Sequence, residues 1–175
     1  MDKIERWFRI IEDHYELVLN CYDKRISEER IHLIMKRDCR SKKHFLEIQY
    51  FSYQWKKQTL QSIKKIDSYN FCDRYVSMIK ETLNEELNVS EVIEIINSFE
   101  KKMNEIFIPK IHKLQNDINI AINDIRKIYQ NKKWHIFRLF QNNEIKVWMA
   151  LSESLKRQEK SFSETTSEIV SILKK

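Results

Sequence analysis

Glu29-Arg30-Ile31-His32 is a Glu-x-x-His motif, a spacing that sets a carboxylate and an imidazole on one helix face, where both can hold a metal ion. Carboxylate-bridged di-iron bundles need a second such motif on another helix. None of His14, His44, His112 or His135 has a carboxylate three residues before it. His32 is therefore read as a surface histidine beside Glu28 and Glu29, and no metal or other cofactor is expected. Cys39 and His44 offer a thiol and a base, but five residues of helix turn them about 140° apart, too far to meet on one helix. Arg37 and His44 are better placed. Seven residues of helix bring them within about 20° of each other, with Arg40 on the same side.

Arg37, the polar Asp38 after it, and His44 beyond six intervening residues resemble the motif of the HEPN ribonucleases, over eight residues of 175. The resemblance implies metal-independent cleavage, with Arg37 and His44 acting beside the RNA 2′-hydroxyl at the interface of a helical dimer. Read without it, the same residues form a solvated basic face.

Cations and aromatics interleave in the stretch that follows. Phe45, Tyr50, Phe51, Tyr53 and Trp55 lie between Lys42-Lys43 and Lys56-Lys57, with Lys64-Lys65 beyond, the composition that stacking on unpaired bases requires. The candidate nucleic-acid ligands are Arg37, Arg40, Lys42, Lys43, Lys56 and Lys57. A membrane-surface helix fits the same pattern less well. At 100° per residue, however, the five rings point around the whole helix, which favours a central, largely buried one.

The elements that must position these residues are helices. The chain has 175 residues, no Gly, one Pro and a net charge of +6. Without Gly, no Rossmann turn, phosphate-binding loop or nucleophile elbow can be built, because each needs φ > 0 or close backbone approach. Three scattered cysteines without a C-x-x-C exclude a zinc ribbon and suit a reducing compartment. The charged N-terminus and a longest apolar run of only Val147 to Leu151 point to the cytoplasm.

Ile4, Phe8, Ile11, Tyr15, Val18 and Tyr22 recur at spacings of four and three, predicting a helix from about Asp2 to Asp23, its stripe widened by Trp7, Ile10, Leu17 and Cys21. Ser27 is a candidate N-cap for a second helix. That helix continues to 66 if the absence of Pro and Gly decides, or bends near 40–43. After a turn at Asp67–Asn70, a short helix over about 70–86 carries Phe71, Tyr75, Met78, Ile79 and Leu83. Asn88 with Glu91, flanked by Leu87 and Val92, reads as a capping box and hydrophobic staple.

One seam then runs through Val92, Ile96, Phe99, Met103, Phe107, Ile111, Leu114, Ile118, Ala121, Ile125 and Ile128. Its 3-4 alternation slips to 4-4 around Phe107, two residues before Pro109, which predicts a kink. Asn131-Lys132-Lys133 turns the chain into a last helix with Phe137, Phe140, Trp148, Leu151, Leu155, Gln158, Phe162, Thr165, Ile169 and Ile172, interrupted near Gln141-Asn142-Asn143. Trp7, Trp55, Trp134 and Trp148 are expected as bundle anchors, and His112 and His135 as helix-face or packing residues.

The expected fold is all-α: a single domain over 1–175, an elongated up-and-down bundle of four to six coiled-coil-like helices with a long C-terminal antiparallel hairpin. Charge alternates in blocks, +7 over residues 36–66, −5 over 67–108 and +5 over 109–146. These blocks can pair within the bundle or attract an anionic partner. The function expected is a non-enzymatic protein–protein interaction module, such as an adaptor, inhibitor or immunity-type partner. The alternative is an RNA-directed protein, either a basic-aromatic binder or a HEPN-like ribonuclease. A homodimer is left open, and a membrane surface is the least favoured partner.

Overall fold

The computed structural model describes residues 2–83, 88–131 and 138–174. Six α-helices follow one another in these segments: α1 (Asp2–Asp38), α2 (Lys42–Asp67), α3 (Phe71–Thr82), α4 (Val89–Lys102), α5 (Ile108–Asn131) and α6 (Arg138–Leu173). A π-helical turn, Met103–Phe107, joins α4 to α5 without a break. There is no strand among the described residues, and none of them has a positive φ. The described turns of this glycine-free chain are thus made entirely at negative φ.

Three long helical runs span the bundle: α1, α4–α5 and α6. At ~1.5 Å per residue, each is about 55–65 Å long. α2 packs between α1 and α6 at one end, and α3 fills the same corner at the other. The cross-section is therefore four helices along the described bundle except at the Ser68–Asn70 link, with the fourth corner shared end to end by α2 and α3. All eleven residues of the seam from Val92 to Ile128 are buried, as are Ile4, Phe8, Ile11, Tyr15, Val18 and Tyr22. Trp148 is fully buried and its ring lies 5.1 Å from that of Trp55, whose Nε1 donates to the Arg25 carbonyl at 2.7 Å. Trp7 anchors the other end by donating to Thr82 Oγ1 at 3.0 Å.

Several boundaries differ from those the sequence suggests. α1 does not stop at Asp23. Its seam continues through Ile26, Glu29, Leu33 and Lys36, all buried, and two of these core positions are charged. The second helix is not continuous from 27 to 66. It breaks at Cys39–Ser41, where the Ser41 Oγ accepts from the His44 backbone N–H at 3.1 Å and caps α2. Leu17 does not widen the α1 stripe but is 70% exposed.

The slip near Phe107 is real, and the π-turn absorbs it. Ile108 N–H bonds to the Met103 carbonyl, one residue further back than in an α-helix, so the extra residue of the 4-4 spacing is looped out and the seam stays inward. Asn88 caps α4 through Ser90 N–H at 3.2 Å rather than through Glu91, and its staple partner Leu87 lies outside the described residues. So do Lys132, Lys133, Trp134, His135 and Phe137. α6 runs unbroken through Gln141-Asn142-Asn143.

Candidate functional site

α1 and α2 form an antiparallel hairpin whose far end is the Cys39–Ser41 link. α2 buries Phe45, Ile48, Ser52, Trp55, Thr59 and Ile63, a stripe at spacings of three and four that faces α1 and α6. The opposite side of the same helix carries a second stripe. Leu46, Tyr50, Tyr53 and Leu60 are 43%, 61%, 57% and 41% exposed, at positions that repeat by four and three once Lys57 is counted between them. α2 is thus apolar on two faces, and only one of them is covered.

The exposed rings continue onto α1. Phe51, 54% exposed, lies with its centroid 5.9 Å from Tyr50 and stacks at 6.1 Å on the ring of His32. Ile31 and Met35 of α1 are also exposed. Single exposed apolar residues are ordinary, but a run of large ones along one hairpin makes this face the candidate site.

The sequence reading of five rings on a buried helix therefore holds for two. Phe45 and Trp55 are buried, whereas Tyr50, Phe51 and Tyr53 are exposed. A helical wheel assigns directions but cannot tell which of two apolar arcs the neighbouring helices cover.

Cations flank this stripe. Arg40, Lys42, Lys43 and Lys57 are exposed and Lys56 is half-buried. Lys42, Lys43 and His44 occupy the first turn of α2, which has no acidic residue. That placement opposes the helix dipole, whose positive end favours carboxylates. The arrangement costs α2 a little stability and concentrates positive potential at the hairpin tip.

Arg37 and His44 do not share a helix face. Arg37 closes α1 and His44 opens α2, with the capped link between them. The Arg37 guanidinium is held by Asp38 at 2.9 and 3.3 Å, a bond that raises its pKa above the usual arginine value. The spacing on which the ribonuclease resemblance rests is interrupted.

The Glu29–His32 motif is not a surface feature either. Glu29 is buried, and His32 Nδ1 lies 2.8 Å from its Oε2. The nearby core charge is an ammonium: the buried Lys36 Nζ bonds to Glu144 Oε1 of α6 and sits 5.9 Å from the Phe45 ring centroid. The Tyr129 hydroxyl of α5, 3.4 Å from Gln49 Oε1, has its pKa pushed strongly upward, first by burial and then by Glu144. Among the described residues, no group of three or more His, Cys, Asp or Glu could hold a metal ion. His112 is exposed, with Nε2 3.0 Å from Glu159 Oε1. No described helix is long and apolar enough to cross a membrane.

No family model, curated protein or solved structure matches this chain.

Proposed function

We propose that the chain is a non-enzymatic helical interaction module that docks an acidic protein partner on the outer face of α2. The observation that carries this reading is the uncovered stripe of Leu46, Tyr50, Tyr53 and Leu60. Fully burying a large apolar side chain is worth roughly 1.5–3 kcal/mol, so a partner covering four half-exposed ones gains several kcal/mol before entropic costs. Tyrosines are well suited to such a contact, because they supply large rigid area together with a hydroxyl. The cations at the tip and beside Tyr53 select the sign of the partner's charge and raise its association rate. An amphipathic helix with acidic flanks is the kind of element that fits.

A second reading, RNA binding, is favoured by one feature: three exposed rings at 50, 51 and 53 between Lys43 and Lys57. That span is about 21 Å along the helix, enough for several stacked bases. A filter-binding titration of the purified protein with single-stranded RNA at low and moderate salt separates the two. The protein reading expects weak, non-saturating retention that Tyr53→Ala leaves unchanged. Saturable binding that is lost with Tyr53→Ala, and that weakens steeply with salt, would replace it with the RNA reading.

A further inference from the structure

Sharing one corner of the bundle between two helices leaves a joint. α2 ends at Asp67 and α3 begins at Phe71, so over the Ser68–Asn70 link no described helix fills the corner that α2 and α3 share beside α1. A cleft of about 580 Å³ opens there, within the ~300–1,000 Å³ typical of small-molecule sites. Its walls are mainly apolar: Leu17 and Val18 of α1, Ile66 of α2, Tyr69 of the link and Phe71 of α3.

The cleft has a definite electrostatic sign. Lys24, Arg25 and Lys65 line it, and none of the residues that form its walls is acidic. Lys24 and Lys65 make no ion pair with any described residue. Arg25 lies 3.6 Å from Glu28 and donates from Nη1 to Gln58 Oε1 at 3.2 Å, while its Nε is buried without a hydrogen-bond partner. The nearest acid on α2, Asp67, is already held by Arg157 at 2.7 Å and Ser154 at 2.9 Å.

Two further polar atoms are unanswered. Gln158 is buried; its Nε2 donates to Asp67 at 3.2 Å, while its Oε1 has no partner. His14, whose ring packs 4.6 Å from that of Phe71, has its Nε2 buried without a partner. A site apolar inside and cationic at its rim is complementary to a molecule with an apolar body and an anionic head.

We propose that this cleft is a binding site for a small amphipathic acid, its apolar body lying against Leu17, Val18, Ile66 and Phe71 and its anionic head meeting Lys24, Arg25 and Lys65. The same chemistry can come from a fatty acid or from an aromatic acid, and the probes distinguish them. Anilinonaphthalene sulfonate is titrated into the full chain and then displaced with decanoate, naphthoate, decanol or decyltrimethylammonium.

The expected result is saturable one-site binding, displacement by either or both of the two acids, and at least about tenfold weaker displacement by decanol and the cation. Decanoate the stronger competitor identifies an aliphatic ligand, naphthoate an aromatic one. Lys24→Glu/Lys65→Glu should weaken acid binding by about tenfold or more with helicity and Tm unchanged. Should that variant lose its fold, Leu17→Glu, at an exposed position on the lip, puts an opposing charge at the mouth and should weaken the acids likewise. Absence of saturable probe binding, displacement by decanol as readily as by decanoate, or undiminished acid binding in the folded variant would overturn the proposal.

Discussion

Lys36 and Glu144 are the residues whose behaviour depends most on where the fold puts them. Both are buried and bonded to each other across α1 and α6. Breaking a buried pair strands a charge, whereas replacing both partners with apolar groups of similar volume is often neutral or better. Lys36→Met is therefore expected to cost about 3–5 kcal/mol in urea unfolding, and Lys36→Met/Glu144→Leu to recover most of it. A single variant within about 1 kcal/mol of wild type would mean that the pair is not desolvated as described. His14 carries a pH signature. Burial, and secondarily the Arg74 charge, lower its pKa below 6.5. The unfolded chain then takes up the proton first as pH falls through 6.5, so stability contributed by the neutral ring is present above that value and declines below it. Tm should fall between about pH 7 and 5.5, and His14→Phe should make that fall shallower. These residues were hard to identify from sequence for a physical reason. Periodicity registers apolar side chains, so the charges at seam positions 29 and 36 break the visible stripe of α1 after Ile26, although the helix and its burial go on.

At the scale of elements, long regular seams are legible and joints are not. Every residue of the Val92–Ile128 seam is buried as its spacing implies, and the 4-4 slip marks the position of the π-turn at Met103–Phe107. The α1–α2 break lacks the Gly or Pro that would announce it, because a serine cap and negative φ angles suffice there. The π-turn makes a specific prediction. Deleting the exposed Ile106 together with Pro109→Ala changes the Phe99, Met103, Phe107, Ile111 spacing from 4-4-4 to 4-3-4, that of an ordinary α-helix. That variant should keep its helicity and melt cooperatively within a few degrees of wild type, whereas deleting Asn119 turns Ala121, Ile125 and Ile128 out of the core by about 100° and should unfold the protein. Pro109→Ala alone should change Tm little or lower it, despite the ~3 kcal/mol that propensity favours in a helix interior, because the seam is matched to the looped-out residue. A clear rise in Tm would show that the proline only strains the helix.

For the whole molecule, the all-helical bundle follows from the absence of glycine and the length of the seams. Which surface is left over follows only from how the helices are arranged. Three long runs close most of the core, and α2 is the corner helix that keeps an apolar stripe outside it. The cations beside that stripe are legible as sequence, but their meaning depends on Tyr50 and Tyr53 facing solvent, where the helical wheel favours burial. The central claim is that this face binds an acidic protein. A photo-reactive phenylalanine analogue placed at Tyr53, compared with the same analogue at the exposed Glu164 of α6, tests it most directly in cells that make the protein. A discrete adduct with an acidic protein, obtained only from position 53, resistant to nuclease and lost with Lys56→Glu/Lys57→Glu, is the predicted result. No adduct beyond that from position 164, or one that nuclease removes, would contradict the account.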